Sequence, residues 1–256
     1  GKALNVGLIG FGNIGCGVVR TLTERNAQIG ERTARPIVLR RIVDLDTSVH
    51  QGLSYDPSIV SNDVSTILED PEIDVVIELI GGLNPAFKFV QAALGKGKHV
   101  VTANKALLAV HGPELMALAA SVGAGLLFEA AVAGGIPILR TLQQGLCANR
   151  LTRVQGILNG TCNYILTRMS QTGLPFDELL EDAKKLGYAE PDPTYDIEGY
   201  DTAHKTAILA SLAFGMVIRF KDVYVEGITQ IQPADIKTAR ELGYAIKLLG
   251  IAKRPD

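Results

Sequence analysis

Two lysines and a run of carboxylates are the residues of this 256-residue sequence whose types and spacing best suit proton transfer. Glu190 to Asp201 holds five carboxylates (Glu190, Asp192, Asp196, Glu198 and Asp201) in twelve residues, and Pro191 and Pro193 oppose a regular helix there. A rigid acidic loop is expected, and such a cluster suits the ammonium group of an amino acid. Asp201 has the character of a helix N-cap, and Lys205 follows four residues later on the same helix face. At its plainest this is a solvated ion pair contributing about a few tenths of a kcal/mol. If the pair lines a site, Lys205 can pass a proton to or from an oxygen. Asp201 favours the charged ammonium, whereas desolvation or a second cation such as Lys105 favours release of the proton.

A second constellation suits phosphate chemistry. Gly10-Phe11-Gly12-Asn13-Ile14-Gly15 is a GxGxxG placed directly after the apolar run Leu4 to Ile9 and opening a helical pattern. Gly10 permits the tight turn, Gly12 lets backbone approach a pyrophosphate, and Gly15 allows close helix–strand packing. The helix N-terminus adds N–H donors and a partial positive charge. An NAD or NADP site follows. The strand after it runs through Arg40 and Arg41 to Asp44. A carboxylate there takes the ribose hydroxyls of NAD and an arginine the extra phosphate of NADP, and the sequence leaves both open.

Three more segments belong with these. Thr102-Ala103-Asn104-Lys105 ends a strand at the carboxyl edge of the sheet, so Lys105 is expected beside the nicotinamide or the reacting oxygen. Ile80-Gly81-Gly82 ends the neighbouring strand, and its glycines admit a cofactor closely. Gly156 to Tyr164 joins a strand to a helix through small polar residues, with Asn159 or Thr161 serving as N-cap or as donor to a substrate carboxylate. Cys162 has no histidine near it in sequence and is not expected to act as a nucleophile. His50, His99, His111 and His204 lack metal-ligand spacing, so structural roles are expected, with His204 next to Lys205.

The elements that must position these residues follow from periodicity. Strands are expected over 4–9, 37–43, 74–80, 99–102 and 126–130, alternating with helices over 14–28, 64–68, 85–94 and 113–122. Continuous apolar strands between helices imply a parallel sheet covered on both faces: an α/β, Rossmann-type doubly wound domain over residues 1–134. The rhythm then changes to a helix over 137–145, a strand over 153–158 and helices over 161–170, 176–186 and 201–214. A strand over 223–226, a helix over 234–242 and a strand over 245–252 close the sequence. An α+β catalytic and dimerisation domain is expected over 135–256.

Composition removes other classes. Lys plus Arg number 25 against 27 Asp plus Glu, a formal charge of −2, so no global positive field attracts nucleic acid. No apolar run reaches the roughly 18 residues of a membrane helix, and no signal peptide pattern opens the chain, so a cytoplasmic location is expected. Three widely spaced cysteines (16, 147, 162) form neither a disulfide framework nor a CxxC pair.

Taken in order, GFGNIG, TANKALLA (Thr102–Ala109), FEAAVAGGIPI (Phe128–Ile138), ILNGTCNYIL (Ile157–Leu166), LGYAEPDPTYDIEGYDTAHK (Leu186–Lys205) and IKLLGIAKR (Ile246–Arg254) cover nearly the whole sequence. Together they resemble homoserine dehydrogenase. The resemblance implies NAD(P)-dependent interconversion of L-aspartate 4-semialdehyde and L-homoserine, on the route to threonine, isoleucine and methionine. It makes Lys205 the acid/base lysine and Lys105 its partner near the nicotinamide. It makes Glu190 and Asp201 substrate-binding carboxylates, with Asp196 near them, Gly187 contributing backbone and Thr161 approaching the substrate. Glu129 with the carbonyls of Val132, Gly134 and Ile136 matches a monovalent-cation site, usually sodium, a donor set suited to a hard cation of low charge. A homodimer formed through the second domain is implied. Other readings are a different Rossmann dehydrogenase of amino-acid metabolism, such as an aspartate-type dehydrogenase, or a non-catalytic dinucleotide-binding protein. Family members usually continue past the last strand into a glycine-rich segment, and many append an ACT domain, so the sequence is expected to be C-terminally truncated.

Overall fold

The computed structural model describes residues 2–48 and 52–254; His50 lies outside them. The chain divides into two compact units, Gly1–Gly135 and Ile136–Asp256.

The first unit is built on β1 (Leu4–Ile9), α1 (Asn13–Glu24), α2 (Asn26–Thr33), β2 (Ile37–Val43), β3 (Val60–Ser61), α3 (Ser65–Leu68), β4 (Val75–Glu78), α4 (Ala86–Gly95), β5 (His99–Thr102), α5 (Lys105–Val122) and β6 (Leu126–Leu127). All six strands run parallel in the order β3-β2-β1-β4-β5-β6. This is the order of a doubly wound dinucleotide fold, with its topological switch between β1 and β4. Along β1 the side chains alternate between two buried faces. Leu8 joins Phe11, Val19 and Ile42 on one side, while Ile9 joins Val76, Val90, Leu94, Val100 and Leu107 on the other. A strand buried on both faces is apolar at most positions, which is why Leu4 to Ile9 reads as a nearly continuous run; its one polar side chain, Asn5, is buried with its amide donated to the Glu72 carbonyl at 2.8 Å.

Helix and strand limits differ from the periodicity in places. The single helix expected over 14–28 is two, α1 and α2, divided at Arg25 (φ −116°). The amide of Asn26 donates to the Ile37 carbonyl at 2.5 Å, which ties the start of α2 to β2. Helix α5 begins eight residues earlier than expected and carries Pro113 inside it. The Asn104 side chain caps it, and burial of Leu107, Leu108 and Leu115 outweighs the hydrogen bond lost at the proline. The last strand stops at Leu127, and a 3-10 turn, Glu129–Ala131, takes the residues expected to extend it.

The second unit contains α6 (Ile138–Arg140), which runs into a wide π turn at Thr141–Gly145, then β7 (Arg153–Gly156), α7 (Gly160–Thr172), α8 (Phe176–Lys185), α9 (Thr194–Ile197), α10 (Tyr200–Phe214), α11 (Pro233–Glu241) and β8 (Gly250–Lys253). Its sheet is the antiparallel pair β7–β8, with Val154 opposite Ala252. Among the described residues the strand expected over 223–226 pairs with no other strand; that segment follows a 3-10 turn at Phe220–Asp222. Only the end of the expected 245–252 strand is laddered, as β8. The core packs Cys162, Ile165, Leu166 and Met169 of α7 against Leu179 and Ala183 of α8 and Ile236 of α11. At the entry to α10 two backbones meet. A Cβ on Gly227 would lie 2.3 Å from the Ile197 carbonyl oxygen, and that oxygen accepts the Ile228 N–H at 2.8 Å.

Leu94 and Leu166 are almost fully buried, one in each unit. Leu94→Ala and Leu166→Ala are each expected to cost about 2–5 kcal/mol of stability, read from urea unfolding followed by circular dichroism.

Candidate active site

The first unit gathers its polar residues at the carboxyl ends of the parallel strands. Gly10 leaves β1 with φ 103°, and its N–H is bonded to the Val43 carbonyl at 2.8 Å. A side chain at Gly10 would strike the backbone of Leu79 at 2.7 Å, and one at Gly15 would lie 2.1 Å from the Gly10 carbonyl oxygen. Those two glycines are therefore required by the protein's own packing. Gly12 is different: a Cβ there would meet nothing within 4 Å. It stands at the N-cap of α1 with no capping side chain and no acidic residue in the following turn, and Asn13 and Ile14 beside it are exposed. A bare helix N-terminus with space above it fits the pyrophosphate of a dinucleotide.

Asp44, at the end of β2, accepts the Phe11 N–H on Oδ2 at 2.5 Å and the Asp46 N–H on Oδ1 at 3.1 Å. It lies against the glycine loop. Arg40, also expected at the cofactor, is turned the other way. Its guanidinium lies 2.5 Å from Glu72 and 3.8 Å from Asp70, in the segment that leads into the amino end of β4. Those two acids hold it at the edge opposite the glycine loop.

The neighbouring strand ends are organised by a residue whose role the sequence did not reveal. Glu78 closes β4 and is fully buried. Its Oε1 accepts the N–H groups of Ile80 (2.9 Å) and Gly81 (3.1 Å), and its Oε2 accepts the Thr102 hydroxyl (2.6 Å). Thr102 Oγ1 in turn accepts the Asn104 N–H at 2.9 Å. The Asn104 amide donates to the Gly82 carbonyl (2.7 Å) and accepts from the Leu107 N–H (3.1 Å). This chain fixes the Gly81–Gly82 turn (φ 73° and 68°) and the first turn of α5, which starts with Lys105. The available signal was one carboxylate closing the apolar strand Val75-Val76-Ile77-Glu78.

The second unit gathers its own cluster. Asp201 and Lys205 lie in the first turns of α10, and Lys205 Nζ donates to Asp201 Oδ2 (2.6 Å) and to the Leu158 carbonyl (2.8 Å). The pair is not a solvated one: the lysine side chain is 18% exposed and the aspartate 4%. Asp201 is not the N-cap. Gly199 enters the helix in left-handed backbone (φ 85°), two residues earlier than a cap at 201 requires, so Asp201 falls inside the first turn and its carboxylate is committed elsewhere. Asn159 donates its amide N–H to Asp196 Oδ1 (2.7 Å) and Asp201 Oδ2 (2.9 Å), while its Oδ1 caps α7 through Cys162 N–H (2.9 Å). Asn159 thus holds two carboxylates of the acidic segment together at the base of Lys205.

The acidic segment itself is not a plain loop. The prolines precede α9, where the missing N–H groups cost nothing, and Asp192 accepts the Thr194 N–H at 3.1 Å. Hydrogen bonds from the Thr194 side chain and backbone hold the Asp192 carboxyl below its usual range. Glu190 is exposed, Gly187 turns with φ 75°, and Thr161 donates its hydroxyl to the Tyr188 carbonyl at 2.6 Å. His204 is buried, hydrogen-bonded to Tyr195 and stacked on Phe220 at 4.2 Å. A separate groove of about 700 Å³, lined by Thr202, Thr206, Met216, Val225 and Ile251 among others, follows another face of α10 and includes neither Asp201 nor Lys205. Glu129 opens the turn before Val132 and Gly134 in the first unit, while Ile136 begins the second. Among the described residues no three His, Cys, Asp or Glu side chains gather as metal ligands.

Burial, with the charges of Asp196 and Asp201 adding to it, pushes the Cys162 thiol up to about 12 from an ordinary 9.0. Three outcomes follow. At pH 8 a thiol reagent labels the exposed Cys147 and spares Cys162 until the chain is unfolded. Because the unfolded thiol ionises first, stability falls as pH rises from about 9 toward 12. Gly15→Ala lowers the melting temperature by several degrees, whereas Gly12→Ala leaves it nearly unchanged and weakens dinucleotide binding.

Two family models match this chain: "Homoserine dehydrogenase, NAD binding domain" over residues 10–129 and "Homoserine dehydrogenase" over residues 137–254. The homoserine dehydrogenase of Bacillus subtilis is 45% identical over 253 residues, which is 99% of this chain and 58% of that protein. The crystal structure of a homoserine dehydrogenase from Thiobacillus denitrificans superposes with a TM-score of 0.94 at 47% identity, covering 100% of this chain and 59% of that one. A hyperthermophilic archaeal homoserine dehydrogenase in complex with NADPH gives 0.80 at 25% identity, covering 99% and 79%. The chain thus spans somewhat under two thirds of the length of the bacterial relatives it matches.

Proposed function

The chain belongs to the homoserine dehydrogenase family, and from that premise we propose that it carries the NAD(P)-binding and catalytic parts of an enzyme interconverting L-aspartate 4-semialdehyde and L-homoserine. The observation that supports this most directly is Lys205, held between the Asp201 carboxylate and the Leu158 carbonyl inside the segments that match the family.

A bound reduced nicotinamide supplies the hydride. The chain's residues do the rest. Gly12 with Asn13, Ile14 and Gly15 receives the pyrophosphate, Asp44 lies toward the adenosine ribose, and Gly81, Thr102 and Lys105 lie toward the nicotinamide. Lys205 gives its proton to the aldehyde oxygen as hydride reaches the carbon, and takes it back in the reverse direction. Its two acceptors leave one N–H for the substrate oxygen, because an ammonium carries three donors. Asp196, Asp201 and Glu190 favour the substrate's ammonium group, and Asn159 fixes the first two so that the attraction is directed. Thr161 and the Gly187 backbone stand beside that cluster.

Glu129 with the carbonyls of Val132 and Gly134 would hold a sodium ion. The donor set fits: one carboxylate plus backbone oxygens, on a stretch curled by left-handed Ala133 (φ 51°) and Gly135 (φ 87°). The working state is a cytoplasmic homodimer joined through the second unit.

Aspartate semialdehyde is expected to drive oxidation of NADH or NADPH, and other aldehydes are not. Lys205→Ala is expected to lower kcat by about 10²- to 10⁴-fold with dinucleotide affinity intact. A rate unchanged in that variant removes Lys205 from the chemistry, and turnover of iminoaspartate in place of the semialdehyde points to an aspartate-type dehydrogenase.

A further inference from the structure

The structure assigns Asp44 the choice between the two dinucleotides: its position selects NAD(H), whose adenosine ribose carries a free 2′-hydroxyl, over NADP(H). This rests on the dinucleotide reading of the first unit and sharpens it.

A carboxylate at the end of the second strand accepts a hydrogen bond from the 2′-hydroxyl, and the same carboxylate repels a 2′-phosphate of about two negative charges. Asp44 stands there, fixed by the Phe11 N–H of the glycine loop at 2.5 Å. Its Oδ1 takes a longer bond, 3.1 Å from the Asp46 N–H, and an ionised carboxylate oxygen accepts more than one donor. The following residues, Leu45, Asp46, Thr47 and Ser48, bring a second carboxylate and no cation.

Acceptance of NADP needs a cation in that place, and the sequence offers Arg40 and Arg41. Neither is there. At about 3.3 Å per residue their Cα atoms lie about 13 and 10 Å before Asp44 along β2. Arg40 pairs with Glu72 and Asp70 toward the opposite edge, and Arg41 bonds back to the Arg40 carbonyl at 3.1 Å. The two arginines that make the sequence ambiguous are thus strand residues used at mid-sheet and at the far edge.

Equilibrium titration of the chain with NADH and with NADPH, followed by nicotinamide fluorescence, tests this. NADH is expected to bind at least tenfold tighter. Asp44→Asn keeps an oxygen for the Phe11 N–H and removes the charge, so the loop stays in place while the NADH/NADPH affinity ratio falls at least fivefold. Arg40→Ala is expected to leave the ratio unchanged. NADPH binding as tightly as NADH overturns the assignment, as does an unaltered ratio in Asp44→Asn or a selective loss of NADPH in Arg40→Ala, and in each of these the dinucleotide site itself stands. Binding of neither dinucleotide by folded chain overturns the site along with the assignment.

Discussion

A carboxylate taken out of water must find donors nearby, because an unpaired buried charge costs more than a fold of this size can lose. Glu78 and Asp201 are two such carboxylates, one in each unit, and the surrounding geometry follows from how they are satisfied. Glu78 recruits two backbone N–H groups and a hydroxyl, and so draws the ends of β4 and β5 into a fixed relation. Asp201 recruits an ammonium and an amide, and so draws the start of α7 and the start of α10 together. In both cases the requirement for pairing positions a lysine: Lys105 follows the Glu78 network into α5, and Lys205 is itself a partner of Asp201.

The two carboxylates differ in what their partners leave over. Around Glu78 the polar atoms serve one another, so the network is structural and its effect is a precise turn at Gly81–Gly82. Around Asp201 one of the two partners, Lys205, has capacity to spare. Asn159 spends both amide N–H groups on Asp196 and Asp201, whereas Lys205 keeps a donor beyond its two acceptors. A polar cluster whose hydrogen bonds are complete within the protein holds shape, whereas one with donors and acceptors in excess can take a ligand.

Much of this was legible in the sequence, and the parts that were not have identifiable reasons. The parallel sheet could be read because strands covered on both faces carry apolar residues at most successive positions rather than at alternate ones, and the glycine loop because Gly10 and Gly15 are dictated by atoms of the chain itself. Lys205 and Asp201 could be paired from helical spacing alone. Their burial could not, since it depends on Leu158 and Asn159, more than forty residues earlier. Glu78 was hidden because its hydroxyl partner, Thr102, is on another strand, and only the sheet register places β5 beside β4. Asp201 looked like an N-cap because aspartate commonly is one, but the left-handed Gly199 starts the helix and leaves the carboxylate for tertiary contacts. Arg40 looked like a phosphate ligand because strand periodicity says nothing about which end of the sheet a long side chain reaches. The 223–226 segment has strand-like residues but, among the described residues, no strand with which to form a ladder.

The close passage of Gly227 over the Ile197 carbonyl ties together the end of α9, the turn at Gly199 and the chain that leads to α11. Local opening of the acidic segment therefore cannot occur alone, because the Ile228 amide and the entry of α10 must be released in the same event. The carboxylates of that segment and the lysine of α10 belong to one cooperative unit of exchange, anchored to the helix core through Ile197.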